Sequence, residues 1–212
     1  STRSKGGIVV TQSRAASEAG ARILKAGGHA VDAAIAAAFA VGVVEPWMSG
    51  IGGIGGMLVY EAKSGKVTGI DFGPRSPIGL DPAAYPLTGG KDVGNLFGWA
   101  QVEGNRNTTG AKSIVAPTEP AAMALAHKTF GRAKWADLVR PAAKLADEGL
   151  AVDWNTSLVI TGAYADLMKD AGARERFLPG GVPPIAPAAQ AQMPLPRLKA
   201  PALARTLMTI AE

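Results

Sequence analysis

The stretch from about residue 29 to residue 44 constrains this chain more than any other. Val31, Ala34, Ile35, Ala38, Phe39 and Val43 place apolar side chains almost all the way round a helix, leaving no polar face for solvent. This segment is therefore expected as the central buried helix of a mixed α/β (α+β) fold. Asp32 falls in its first turn, where the helix dipole favours a carboxylate, and that structural role is preferred to a catalytic one. Pro46, which has no N–H to continue the helix, closes it.

The flanking pattern follows from periodicity and punctuation. Ile8-Val9-Val10 within residues 7–11 predicts a short buried strand. Ala16, Ala19, Ile23 and Leu24 recur at helical spacing, and Gly27-Gly28 ends that helix. Met57-Leu58-Val59-Tyr60 and residues 66–72 predict the two strands of a hairpin, joined through Lys63-Ser64-Gly65-Lys66. Residues 82–113 form a Gly- and Asn-rich excursion too long for a plain connection, and are expected as a functional loop or lid. Helical spacing resumes near Thr118, continues through Trp135, Leu138 and Val139, and stops at Gly149. Residues 179–201 are Pro-rich and irregular. A last helix starts near Ala202 and carries no stop signal before Glu212, as in a chain cut short.

Composition narrows the function classes. With 47% hydrophobic and 18% charged residues the chain is globular. Having no cysteine, it lacks disulfides, thiolate nucleophiles and Cys-based metal sites, while the redox compartment stays open. The longest apolar run, residues 30–44, contains Asp32 and ends at Glu45-Pro46, which argues against a membrane span. Ser1-Thr2-Arg3-Ser4-Lys5 is followed by no apolar signal segment. Location stays undetermined, the cytoplasm slightly favoured over periplasm or secretion. The net charge of +5 comes from scattered Lys and Arg without interleaved aromatics, so no nucleic-acid partner is expected.

Few residues offer chemistry. Residues 49–56, Ser49-Gly50-Ile51-Gly52-Gly53-Ile54-Gly55-Gly56, do not suit a phosphate cradle, because they follow a helix and lack a Gly-Lys-Ser/Thr ending. So many glycines suggest backbone packed on backbone or amides presented to a ligand, with Gly53 needed for positive φ or close approach. His29 lies at a helix start, where capping or exposure suits it, and His127 is expected at the surface. Neither has a triad or metal-site neighbourhood, so no metal or cofactor is expected. Ser1 as a free nucleophile is set against a frayed terminus, which its polar followers favour. Arg75, in Asp71-Phe72-Gly73-Pro74-Arg75-Ser76-Pro77, stands on a stiff turn after a strand. It suits a bidentate grip on a carboxylate, but equally a surface arginine or a pair with Asp71.

Taken in order, these segments resemble the gamma-glutamyltransferase family. The resemblance rests on Ala15 to Gly20, on Ile23-Leu24-Lys25-Ala26-Gly27-Gly28 and on Ala30-Val31-Asp32-Ala33-Ala34. It continues through Val43-Val44-Glu45-Pro46 with Ser49-Gly50-Ile51-Gly52-Gly53, then Trp135-Ala136-Asp137-Leu138 and Ala146-Asp147-Glu148-Gly149. It implies an N-terminal-nucleophile hydrolase fold, a four-layer αββα sandwich completed by a second chain. Residues 1–212 would be the front part of the larger subunit of a self-cleaving precursor. The catalytic threonine would open the smaller subunit, so no catalytic residue is expected in this chain. Ser49, Gly50, Gly52 and Gly53 would support the site, and Arg75 would bind a small acidic amide substrate. Gly73 follows Phe72 where transferases carry an arginine, and Pro117-Thr118-Glu119-Pro120 replaces a Pro-Gly-Thr turn, which resembles the hydrolase-like branch. An acylase for a non-glutamyl amide and a catalytically silent scaffold are the alternatives.

Overall fold

The helix of residues 30–44 organises the computed structural model, which describes residues 4, 6–92, 97–188 and 193–212. In chain order α1 is Arg14–Lys25 and α2 is Ala30–Val44. The hairpin strands are β1, Gly55–Glu61, and β2, Lys66–Phe72. The chain divides into two units, one of residues 1–73 with 117–212 and the other of residues 74–116.

In the larger unit α2 is buried round most of its circumference, with Ile35, Phe39 and Val43 in the core. Helix α1 lies against it through Ala16, Ala19, Gly20 and Ile23. Small residues permit that approach: a β-carbon on Gly20 would fall 2.7 Å from the Ala33 carbonyl oxygen. Gly27, at φ +87°, turns the chain from α1 into α2. Two further helices, α3 (Glu119–Phe130) and α4 (Trp135–Glu148), cover other sides of α2. α4 buries Leu138, Val139, Ala142, Ala143 and Ala146, one stripe at helical spacing. Trp135 meets Phe39 edge-on at 5.7 Å and donates its indole N–H to the Ile210 carbonyl at 2.6 Å.

The hairpin pairs Gly55 with Phe72 and Glu61 with Lys66 in antiparallel register. Met57, Val59, Thr68, Ile70 and Phe72 turn inward, while Leu58, Tyr60 and Val67 face out, the two-residue alternation of a sheet with one covered face. A second, smaller apolar cluster gathers Leu150, Val152, Ile160, Leu178 and Leu198. Around it a short strand pair, β5 (Leu150–Ala151) with β6 (Arg197–Leu198), accompanies α5 (Trp154–Gly162), α6 (Tyr164–Leu167) and α7 (Ala171–Phe177). α8, Pro201–Ala211, returns to α4 through Leu207 and Ala211.

The unit of residues 74–116 is wider than the expected excursion and has its own strand pair, β3 (Leu87–Lys91) with β4 (Ala100–Val102). Tyr85 donates its hydroxyl to the Lys112 carbonyl at 2.8 Å, and the Arg106 guanidinium reaches the Ala84 carbonyl at 3.3 Å.

Three expectations change. Residues 7–11 form no strand: Ile8 is 52% and Val10 83% exposed, because no strand among the described residues lies alongside to pair with them. His127 is half-buried and engaged, not free at the surface. Its Nε2 lies 2.8 Å from the Ala133 carbonyl and its ring packs on Trp135. The sequence pattern predicts no helix between residues 154 and 177, where Asp153 and Asp170 cap α5 and α7 by accepting from Thr156 and Ala173 N–H. Ser1 lies outside the described residues.

Asp32 is fully buried. Its carboxylate accepts from His29 N–H at 2.7 Å, from Arg132 N–H at 3.1 Å and from Ala133 N–H at 3.2 Å. Asp32→Ala is expected to lower unfolding stability by about 3 kcal/mol, since it strands three N–H donors that a charged acceptor now satisfies. Asp32→Asn should lose less, and denaturant midpoints of the two variants will order them.

Candidate functional site

The glycine-rich strap leaves α2 at Pro46. The Glu45 carbonyl accepts from Met48 N–H at 2.9 Å and Ser49 N–H at 3.0 Å, so the chain folds back over the end of the helix. Gly50 then accepts from Gly53 N–H at 2.6 Å, closing a tight turn. Backbone does pack on backbone here: a β-carbon on Gly42 of α2 would sit 3.1 Å from the Gly50 α-carbon. Gly50, Gly52 and Gly53 all lack positive φ. Gly53 is instead a matter of close approach, since its β-carbon would fall 2.6 Å from Glu119 Oε2 and 2.7 Å from the Gly50 carbonyl oxygen. Gly50 and Gly52 face open space.

Beside the strap lies a cavity of about 420 Å³ lined by Ser49, Ile54, Met57, Phe72, Glu119 and Met123, among others. Glu119 is the first residue of α3 and is followed by Pro120, a pairing that suits a helix start. Thr118 fixes this start by donating its hydroxyl to the Phe72 carbonyl at 2.8 Å, which ties α3 to the end of β2. Glu119 is only 6% exposed, and its carboxylate has no hydrogen bond or ion pair among the described residues. Burial pushes its pKa up to about 7. Such an acid binds its proton more tightly folded than unfolded. Its contribution to stability is thus greatest below the ordinary carboxylate range and falls as pH rises through about 7.

A larger cleft, about 760 Å³, runs along α2 past Ala33, Ala34, Ala37 and Ala38. Its floor is methyl groups and backbone, and His29 at its rim is engaged, Nδ1 accepting from Val31 N–H at 3.3 Å. Thr11, Ser49 and Arg132 also line it, but the Thr11 hydroxyl is spent on the Ser13 carbonyl at 2.6 Å and no hydrogen bond joins His29 to a hydroxyl there among the described residues, so size alone does not make it the site. No group of three or more His, Asp or Glu among the described residues could hold a metal, and no described helix is long and apolar enough to cross a membrane.

The expected site residues divide between the two units. Ser49, Gly50, Gly52 and Gly53 form the strap turn of the larger unit. Arg75 belongs to residues 74–116, is exposed, and has no ion pair or side-chain hydrogen bond among the described residues. Its carbonyl accepts from Ala116 N–H at 2.9 Å, which closes the base of that unit. Asp71 accepts from Gly73 N–H at 3.0 Å. Sequence reasoning noticed Glu119 only as part of an altered turn. The acid between two prolines was the available signal, but its burial could not be read from the chain.

Comparison with known proteins now adds to this geometry. A family profile described as gamma-glutamyltranspeptidase matches residues 16–212. The glutathione hydrolase proenzyme of Bacillus subtilis (strain 168) is 35% identical over 179 residues, 84% of this chain and 29% of that protein. The acylase ACY 1 proenzyme of Pseudomonas sp. (strain V22) is 36% identical over 177 residues, 84% of this chain and 31% of that protein. The crystal structure of Helicobacter pylori gamma-glutamyltranspeptidase superposes with a TM-score of 0.81 at 26% identity, covering 99% of this chain and 55% of that one. The chain thus spans less than a third of the length of these two curated relatives.

The strap geometry separates two neighbouring glycines. Gly53→Ala should cost about 1–3 kcal/mol, as for other overpacked sites, because the Gly50 carbonyl cannot yield as a side chain can. Gly52→Ala, facing open space without positive φ, should stay within about 0.5 kcal/mol. Thermal midpoints of the two variants will test the difference; equal values would refute the close-approach reading.

Proposed function

The chain belongs to the gamma-glutamyltranspeptidase family, and from that premise we propose that it is the front part of the larger subunit of a self-processing amide hydrolase or acyl transferase. The observation that carries the reading is the family match, which spans residues 16–212. The names of its relatives as proenzymes support processing into two chains. On this reading a threonine opens the smaller subunit, and the two subunits together complete the four-layer sandwich.

In the reaction proposed, the threonine hydroxyl attacks an amide carbonyl while its own α-amine takes the proton. The C–N bond then breaks, that proton goes to the leaving amine, and an acyl ester remains on the threonine. Water or an amine acceptor attacks the ester, and the hydroxyl re-forms. This chain contributes surroundings and not the nucleophile. The strap gives rigid backbone beside the site, and Arg75 holds a carboxylate of a small acidic amide.

Three observations support the role of Arg75: its guanidinium is uncommitted among the described residues, its carbonyl is fixed by Ala116 N–H, and Pro74 and Pro77 stiffen its approach. Similarity to an acylase proenzyme, at 36% identity, supports a second reading in which the amide is not glutamyl. Gly73 after Phe72, in place of the transferases' arginine, agrees with it.

Expression of the full precursor should give two chains by intact mass, the smaller beginning with threonine. A single uncleaved species would sink the processed-enzyme reading. In the processed protein Arg75→Ala should raise KM for an acidic amide by roughly 30-fold or more, since losing one partner of a desolvated ion pair costs about 2–5 kcal/mol. Arg75→Lys should recover only part, as lysine keeps the charge without the planar fork. Unchanged kinetics in Arg75→Ala would return that residue to an ordinary structural role.

A further inference from the structure

Glu45 follows the last residue of α2, and its backbone and side chain have separate fates. Its carbonyl accepts from Met48 and Ser49 N–H and so folds the strap back. Its carboxylate is only 6% exposed and has no hydrogen bond or ion pair among the described residues. Burying an acceptor without a donor is costly, and more so for a charged one.

That carboxylate lines a cleft of about 560 Å³ in the larger unit, within the roughly 300–1,000 Å³ typical of small-molecule sites. The end of α2, the turn from α4 into β5 and the starts of α1 and α5 enclose it. Asp153 stands at the start of α5. Its Oδ1 accepts from Thr156 N–H at 2.8 Å, and its charge bears on Glu45. Two carboxylates thus share the cleft, and neither has an ion pair among the described residues.

The other charged groups on the cleft are engaged. Arg14 of α1 pairs with Glu18 at 2.7 Å, and Glu148 of α4 pairs with Lys144 at 3.6 Å. Arg197 of β6 donates to the Gly149 carbonyl at 2.9 Å. Among the described residues no Lys or His lines the cleft. Trp47 and Trp154 do, the second 73% exposed, and an indole face attracts a cation. A metal ion would want more donors than this, and no group of three or more His, Asp or Glu gathers among the described residues. An ammonium needs fewer, because its three N–H groups can be divided between two carboxylates.

We propose that this cleft binds a free alkylammonium, its N–H groups shared between Glu45 and Asp153 and its hydrocarbon chain laid against Trp47 and Trp154. The site belongs to the larger unit alone and stands without the enzymatic reading. Burial first, and then the Asp153 charge, push the Glu45 pKa up, and a bound ammonium opposes both effects. Protonation of Glu45 therefore competes with the ligand, and affinity falls as pH is lowered, beginning above the ordinary carboxylate range.

Calorimetric titration of the full processed protein with n-butylamine, and with n-butanol as the uncharged isostere, tests the site. Butylamine should bind more tightly than butanol. Glu45→Gln should weaken butylamine roughly tenfold or more, the loss of a charge-assisted hydrogen bond, and leave butanol unchanged. Asp153→Asn, which keeps an oxygen to cap α5, should weaken butylamine in the same direction. Lowering the pH from about 7 to about 5 should weaken wild-type binding more steeply than binding to Glu45→Gln. Equal affinity for amine and alcohol, or undiminished amine affinity in Glu45→Gln, overturns the proposal. Wild-type protein that binds no butylamine overturns it too, and a lowered thermal midpoint in Glu45→Gln would then assign the acid to a basic side chain elsewhere in the protein. Should Glu45→Gln fail to fold, Asp153→Asn and the wild-type pH dependence decide, and amine affinity unmoved by both overturns the site. Turnover is not the readout, so a protein without activity refutes the enzymatic reading and leaves this one to the titration.

Discussion

How the two ends of α2 are held determines most of what surrounds it. Hydrophobic burial is non-directional, and a helix apolar on every side could rotate or slide with little change in buried area. The Asp32 carboxylate removes that freedom. It closes the N-terminal turn through His29 N–H and reaches the loop between α3 and α4 through Arg132 and Ala133 N–H, a hundred residues further along the chain. Directional bonds at one end therefore set the rotation of α2 and the position of α3 together. At the other end the Glu45 carbonyl folds the strap back over the helix. Glu119 meets Gly53 because both of their elements are referenced to the same helix.

Much of this was legible from periodicity. α2 announced itself by lacking a polar face, the hairpin by alternation around Ser64-Gly65, and α4 by a stripe ending at Gly149. What failed was whatever depended on a partner. Ile8-Val9-Val10 has strand composition, but a strand exists only alongside another, and none of the described residues supplies one. His127 sits next to Lys128 in sequence, yet the 3.6-residue turn separates them, and the imidazole is drawn inward to the Ala133 carbonyl. For Gly53 the sequence offers two reasons to be glycine, close approach and positive φ. Of the two reasons offered, the approach of Glu119 and the Gly50 carbonyl holds and positive φ does not.

The candidate site was legible in a different degree. The strap could be found because glycine density is a local property. Arg75 stands out as a candidate because two prolines bracket it. The role of each depends on neighbours that a linear reading cannot supply, and for Arg75 part of those neighbours lies on a different chain in the proposed enzyme. Glu119 escaped because its environment is assembled from α2, the strap, the hairpin and α3, four segments spread over some ninety residues.

Three buried acids show why counting donors matters more than noting burial. Asp32, Glu45 and Glu119 are each almost inaccessible, yet their surroundings differ. Asp32 is surrounded by backbone N–H groups that point at its two oxygens, and it works as a structural junction. Glu45 lies at the end of α2, where burial first and then the neighbouring Asp153 charge push its pKa up. Its carbonyl, not its carboxylate, does the structural work. Glu119 has neither donors nor a neighbouring charge among the described residues, and burial alone pushes its pKa up to about 7. A residue type thus fixes only what a group can accept. The same carboxylate becomes a structural junction or a group held toward its neutral form according to whether the fold has already supplied the donors.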